Sequence, residues 1–268
     1  MTQLSNMDQI TQKCIHFLQE TYKKAGKTKA VIAVSGGIDS AVSLTLLTRA
    51  LGAENITALL LPYGEQEMDH ARLALEHNEI SAQNWREINI KPVVDQFANQ
   101  QLQNQQTNQD QSVDQVRLGN IMARSRMIFV YDTAKELNAL VCGTENKSEK
   151  YLAYFTRFGD EASDVEPIQD LFKSQVRQLA EHLGLPSVFT QKPPSAGLWQ
   201  GQTDETELGF TYEQADAVLE FYVHNTNVTV DEIVSATGLP KTIIQAVISR
   251  VENNHFKHEV PYVLSFDV

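Results

Sequence analysis

The densest cluster of chemistry-bearing residues is the string Ser35-Gly36-Gly37-Ile38-Asp39-Ser40. It follows a short β-branched apolar run and opens a helical pattern. That arrangement gathers unpaired backbone N–H groups and the positive end of a helix dipole, a ready anion site. Two glycines let a phosphate approach the main chain and permit dihedrals closed to other residues. Ser35 and Ser40 add hydroxyl donors, and Asp39 can hold a magnesium ion on phosphate oxygens. No lysine follows the second glycine, so this is not the Walker A arrangement. An ordinary glycine-rich turn is the blander alternative, but the full string between a strand and a helix favours phosphate binding.

The elements that must position this string follow from hydrophobic periodicity. Ala30-Val31-Ile32-Ala33-Val34 predicts a central parallel strand buried on both faces. Ala41 to Leu51 predicts a helix ending at Gly52. Ile10 to Tyr22 predicts an amphipathic helix, Asn55 to Leu61 a second strand, Asp69 to His77 a helix and Trp85 to Ile90 a third strand. Asn99 to Gln111 has ten Asn or Gln among thirteen residues, which predicts a mobile surface excursion because polar amides cannot build a core. A long helix follows over Gln115 to Leu137, then a strand over Leu140 to Gly143. Ser174 to Leu183 predicts another helix, closed by Gly184 and Pro186. Tyr212 to Val268 reads as helices with a short extended end, and no internal repeat is visible. Strands alternating with helices give an α/β class with a parallel sheet, right-handed crossovers and ligands at the carboxyl ends of the strands.

Composition narrows the function. The 268 residues are 42% hydrophobic, enough for a full core, and 22 basic against 34 acidic residues leave a net charge of −12. Such a balance argues against non-specific nucleic-acid binding, which needs a basic footprint. Cys14 and Cys142 have no CxxC spacing, which excludes a disulfide scaffold or a cysteine zinc site and points to a reducing compartment. The polar segment Met1 to Ile10 carries no secretory pattern and no apolar run approaches a bilayer span, so a cytoplasmic location is expected. His255 and His258 lack a third ligand of matching spacing and read as surface residues. Lys173 opens a helix, where the dipole disfavours a cation unless an anion is its partner.

The string Ser35 to Ser40 resembles the PP-loop of N-type ATP pyrophosphatases. Later segments resemble one branch of that class, the NAD synthetases. These are Gly119-Asn120-Ile121-Met122-Ala123-Arg124-Ser125-Arg126-Met127, Gly143-Thr144 to Glu149, Phe155-Thr156-Arg157-Phe158-Gly159-Asp160 with Asp164, Lys192 to Leu198, and Asp204 to Gly209. The resemblance runs in order from about residue 8 to residue 262. It implies a Rossmann-type, adenine-nucleotide α-hydrolase-like fold with a helical C-terminal extension. It also implies ATP-dependent amidation of deamido-NAD with ammonia, through an acyl-adenylate, releasing AMP and pyrophosphate. One domain over 1–268 is expected, with a PP-loop core at about 28–190, a lid at 191–209 and a helical part at 210–268. The lid reading also rests on composition: Pro193, Pro194, Gly197 and Gly201 with few apolar anchors.

By the same resemblance, Ala33, Val34, Ser35, Gly36, Gly37, Ile38, Asp39 and Ser40 cradle the ATP phosphates, and Thr144, Lys173 and Ser195 contact ATP. Asp39 and Glu149 hold magnesium. Arg124, Arg157, Asp164, Phe256 and Lys257 meet deamido-NAD. Ile38 stands where many relatives have Gln, Ser195 where they have Thr, and Phe256 where they have His. Ammonium has no lone pair, so an anionic group must attract it and help it lose a proton. Asp160 is the carboxylate of the matched segments left for that role; its alternative is to fix its own turn. Relatives of this kind are homodimers. Glutamine-using relatives carry a further nitrilase-like domain, for which 268 residues leave no room, so free ammonia is the expected nitrogen source. Two rivals are weighed. A tRNA-modifying PP-loop enzyme would need a basic surface. A DNA-binding regulator could use the helix-turn-helix pattern over Thr229 to Asn253, but its second helix has no basic stripe, so a packing hairpin is expected.

Overall fold

The structure is a computed structural model that describes residues 6–103, 114–195, 197–199, 201–225, 228–264 and 266. Four parallel strands form one sheet: β1 (Ala30–Ala33), β2 (Ile56–Leu60), β3 (Trp85–Glu87) and β4 (Leu140–Cys142), in the order β3-β2-β1-β4. The register places Ala30 beside both Ile56 and Leu140. Each crossover contains helix: α1 (Met7–Lys24) precedes β1, α2 (Ile38–Leu51) joins β1 to β2, and α3 (Asp69–His77) joins β2 to β3. Two helices, α4 (Lys91–Gln103) and α5 (Gln115–Leu137), lie between β3 and β4.

Alternation along the strands builds two cores. Ala30, Ile32, Ala58, Leu60 and Cys142 face α1, α2 and a later helix, α7 (Lys173–His182). Val31, Leu59 and Val141 face the other way, onto Val94 of α4 and Met122, Val130 and Ala134 of α5. A strand buried on both faces has no use for polar residues, which explains the continuous apolar runs. Beyond β4 come the short helices α6 (Lys147–Tyr151), α8 (Val188–Gln191) and α9 (Asp204–Leu208). They are followed by α10 (Tyr212–His224), α11 (Val230–Thr237) and α12 (Lys241–Asn254). The last three share their own apolar cluster around Val218, Ile233, Ile244 and Val247. Ile233, Ile244 and Val247 are thus spent on packing, so the helix-turn-helix pattern is a packing hairpin.

Three expectations change. The third strand stops at Glu87 rather than Ile90, although Ile88 and Ile90 still donate to the carbonyls of Leu60 and Pro62 at 2.9 Å. Helix α2 starts at Ile38, three residues early, because extended Gly37 serves as its N-cap. Asn99 to Gln103 is the end of α4 rather than an excursion. Val94 and Ala98, one turn apart and buried, anchor that helix, and glutamine is a good helix former once a face is docked. Residues 104–111 of the amide-rich segment lie outside the described residues. Among the described residues no helix is long and apolar enough to cross a membrane.

Candidate active site

Neighbouring parallel strands release their following loops at the same end of the sheet. The loop after β1 carries Ser35 to Ser40 and the loop after β4 carries Gly143 to Glu149, so the β1–β4 pairing brings the two strings together. Gly36 has φ +77° and lies against the start of α3; a Cβ there would meet the Ala71 nitrogen at 2.8 Å and His70 Cβ at 3.0 Å. No other residue fits both constraints. Ser35 and Ser40 hydroxyls sit 3.1 Å apart, Gly37 N–H donates to Ser35 Oγ at 3.2 Å, and Ser40 Oγ donates to the Gly37 carbonyl at 3.0 Å. The loop is therefore fixed by its own side chains before any ligand arrives.

Asp39 occupies the first turn of α2, where the helix dipole favours a carboxylate. Its Oδ1 accepts from Asn146 Nδ2 at 3.0 Å and its Oδ2 meets Lys173 Nζ at 2.5 Å. The same Nζ lies 2.9 Å from Glu149 Oε1, so both proposed metal-holding carboxylates converge on one point. Lys173 is 3% exposed, which excludes a merely solvated lysine. Burial alone would lower its pKa, but the Asp39 and Glu149 carboxylates outweigh burial and raise it. Burial pushes Glu149 up to about 7, aided by Asp39 and Asp204 and opposed by Lys173. Lys173 begins α7 one residue before the expected start, and its backbone N–H donates to Ser148 Oγ at 2.9 Å. Asp216 on α10 accepts from that same Ser148 hydroxyl and from Ser174 N–H at 2.9 Å, which places a carboxylate at the positive end of α7.

Sequence reasoning missed Asn146, Asp204, Tyr212 and Asp216. Asn146 holds Asp39 with its amide nitrogen and caps α6 with its oxygen, accepting from Glu149 N–H at 3.0 Å. One residue thus sets the positions of both carboxylates. Its signal is in the sequence: Asn followed three residues later by Glu is an N-terminal helix signature. Tyr212 lies under Lys173, with Nζ 5.1 Å from the ring centroid, and its hydroxyl bonds Asp204 Oδ2 at 3.2 Å. Tyr212 and Asp216 come from α10, and nothing local in the sequence ties them to the loop after β1.

The remaining expected residues fall into separate groups. Arg124 Nε donates to the Arg157 carbonyl at 3.2 Å, and the Arg157 guanidinium stacks 5.3 Å from the Phe256 ring centroid. Lys257 Nζ donates to the carbonyls of Ala153 and Phe155 at 2.8 Å each, and burial lowers its pKa. These four residues border one region. Asp160 Oδ1 accepts from Thr156 N–H at 2.9 Å, so it does fix its turn. Asp164 Oδ2 accepts from Val141 N–H at 2.8 Å, alongside β4. Ser195 Oγ donates to the Gln202 carbonyl at 2.8 Å and accepts from Gly197 N–H, inside its own loop. Thr144 is half-buried between β4 and α6. Leu198 rests on α5 at Gly119, where a Cβ would come within 2.8 Å of its side chain.

Comparison with known proteins agrees with this geometry. A family model described as NAD synthase matches residues 10–261. The NH(3)-dependent NAD(+) synthetase of Fusobacterium nucleatum is 38% identical over 261 residues, covering 96% of each chain. Among solved structures, the NMN synthetase of Francisella tularensis superposes with a TM-score of 0.80 at 30% identity, over 97% of this chain and 99% of that one. The NH3-dependent NAD synthetase of Campylobacter jejuni, in complex with the nitrate ion, gives 0.78 at 32% identity, over 97% and 100%. A glycine-rich loop between a strand and a helix, two carboxylates meeting one lysine, and a match spanning nearly every element place this chain in the NAD synthase family.

Proposed function

We propose that this chain converts deamido-NAD to NAD by ATP-dependent amidation with ammonia. The observation that carries the reading is the meeting of Asp39, Glu149 and Lys173 at the mouth of the Ser35 to Ser40 loop. A carboxylate is a poor acyl donor because oxide would have to leave. Transfer of AMP to the carboxylate oxygen supplies a good leaving group, and ammonia then attacks through a tetrahedral oxyanion. Backbone N–H groups from Ala33 to Ser40 would cradle the triphosphate, with Thr144 and Ser195 contacting the nucleotide. Lys173 would balance charge on the phosphates.

The donor set suits magnesium: Asp39 and Glu149 offer hard carboxylate oxygens that already converge on one cationic centre, the Lys173 ammonium. Among the described residues no group of three His, Cys, Asp or Glu side chains forms a metal site. The ion would thus take its other ligands from phosphate and water, the usual pattern for magnesium. When bound, magnesium would neutralise charge developing on the phosphates. Arg124, Arg157, Phe256 and Lys257 border the proposed place of deamido-NAD, with the Arg157–Phe256 stack offering cationic and aromatic surface together. Asp164, through Val141, would orient the segment leading to that place. Asp160 would attract ammonium and accept its proton through its carboxylate.

Val93 and Phe97, one turn apart on α4, and Ile128 on the adjoining α5 expose large apolar side chains, which supports a homodimer formed through this side. Two free cysteines fit a reducing, cytoplasmic setting. The likeness to an NMN synthetase supports one second reading, amidation of nicotinate mononucleotide. Initial rates with ATP, Mg²⁺ and ammonium on each acceptor decide between them. The dinucleotide reading expects the higher kcat/KM on deamido-NAD, and no product when glutamine replaces ammonium. A higher kcat/KM on the mononucleotide would establish the second reading.

A further inference from the structure

Lys173 is the point at which the proposed site is internally over-determined. Its ammonium lies 2.5 Å from Asp39 Oδ2 and 2.9 Å from Glu149 Oε1, one oxygen from each of the two carboxylates expected to hold the metal. Magnesium binds oxygen at roughly 2.0–2.1 Å. An ion held by both oxygens would therefore lie within about 5 Å of Nζ and compete with the ammonium for the same two oxygens. One cation must leave before the other enters.

Departure is not free for the lysine. Lys173 is 3% exposed, opens α7 through a backbone bond to Ser148, and rests on the Tyr212 ring. Without a new anionic partner its ammonium would stay buried and unpaired, which proteins rarely tolerate. In the bare site the ammonium is paired with the very carboxylates the metal would take, and Asp39 Oδ1 already accepts from Asn146. A triphosphate delivered to the adjacent loop offers a new anionic partner. We infer that Lys173 is a resident counter-ion which keeps the divalent metal out of the nucleotide-free site and hands the carboxylates over only when a metal–triphosphate complex arrives together. Metal and nucleotide thus enter as a unit, and the carboxylates are never left unpaired. Lys173 acts here as a positioning residue for Asp39 and Glu149. The inference rests on the assignment of those two residues as metal holders.

Mn²⁺ binding followed by electron paramagnetic resonance tests it, with the non-hydrolysable α,β-methylene analogue of ATP. In wild-type protein, Mn²⁺ should bind weakly alone and tightly with the analogue. Lys173→Gln should lower the nucleotide-free dissociation constant for Mn²⁺ by about tenfold or more, because a like charge at contact distance is removed. Lys173→Arg, which keeps the charge, should leave it within about twofold of wild type. Adding Asp39→Asn to Lys173→Gln should abolish the gain, which locates the new binding at this site. If Lys173→Gln binds Mn²⁺ no more tightly than wild type, while wild type takes up Mn²⁺ with the analogue, the counter-ion role is overturned and the metal assignment stands. If wild type takes up no Mn²⁺ even with the analogue, the metal assignment itself fails and the inference with it.

Should Lys173→Gln not fold, the wild-type ammonium can be observed directly. A buried, ion-paired Lys173 gives a slowly exchanging side-chain ¹H–¹⁵N resonance. Mg²⁺ alone, at the concentration that saturates the analogue-loaded protein, should leave it unmoved, and Mg²⁺ with the analogue should shift it. A shift with Mg²⁺ alone would overturn the inference.

Discussion

The stability of Glu145→Gln relative to wild type should rise as the pH is raised from acidic to alkaline. Glu145 is 7% exposed; its Oε2 accepts from Gln169 at 2.8 Å, while Oε1 is buried with no partner. Glu166 lies beside it and accepts from the Glu145 backbone N–H at 3.1 Å. Burial, then the charge of Glu166, pushes the Glu145 carboxyl up to about 8, and burial pushes Glu166 up to about 8 as well. An acid whose pKa is raised by folding holds its proton more tightly in the folded state. Below the unfolded value near 4.5 both states are protonated and the group is neutral to stability. Between that value and about 8 the unfolded chain has lost its proton and the folded chain has not, so stability falls with each unit of pH. At about 1.4 kcal/mol per unit, the full window corresponds to roughly 4–5 kcal/mol for an isolated group. Neighbouring charges share that cost, and about 2 kcal/mol is a safer expectation. The amide leaves one buried N–H group unpaired at a cost of roughly 1–3 kcal/mol, but that cost is the same at every pH. The readout is therefore the slope. The stability of Glu145→Gln relative to wild type, from urea unfolding, should improve by about 2 kcal/mol or more between pH 5 and pH 9. Parallel pH profiles for the two proteins would place the Glu145 carboxyl in the ordinary range and overturn this expectation.

Asp39→Ala should abolish AMP formation, measured by chromatography of reaction mixtures, while the circular dichroism spectrum stays native; near-normal turnover would mean the loop is only a turn. Asp160→Asn keeps an acceptor for Thr156 N–H but loses the charge. It should raise the apparent KM for ammonium about tenfold or more with adenylation, read as pyrophosphate exchange, largely kept; an unchanged KM would make Asp160 structural. The segment 191–209 reaches across to α5 through Leu198 and is pinned by Gln202, whose side chain accepts from Leu198 N–H at 2.7 Å. If it closes over substrates, limited proteolysis there should slow several-fold with the ATP analogue and deamido-NAD present, and equal cleavage would remove the lid role.

What the sequence revealed and what it hid divide along a physical line. The strands over Ala30 to Ala33 and Leu140 to Cys142 were legible because burial on both faces demands uninterrupted apolar runs. The Ser35 to Ser40 loop was legible because its chemistry is local: backbone, hydroxyls and one carboxylate within a single turn. Helix α4 was not legible at all: Val94 and Ala98 are too few buried anchors to make a periodic signal over Lys91 to Ala98, and Asn99 to Gln103 carries none. Lys173 was suspect from its place at a helix start, yet its partners lie 134 and 24 residues away and no local pattern encodes them. Asp216 and Tyr212 illustrate the same limit, because they come from α10, far along the chain from the loop after β1. Asp164 was legible only through its motif, and its bond to the Val141 N–H of β4 is a long-range contact that no local pattern encodes.

The central claim, that an acceptor carboxylate is activated by transfer of AMP, is tested most directly with deamido-NAD labelled by ¹⁸O in its carboxylate. Purified protein, ATP, Mg²⁺ and ammonium are added, and the products are read by mass spectrometry. Activation at the α-phosphate predicts that each NAD formed is matched by one AMP carrying a single ¹⁸O, with unlabelled pyrophosphate. Label in inorganic phosphate together with ADP, or NAD formed without labelled AMP, would contradict the account.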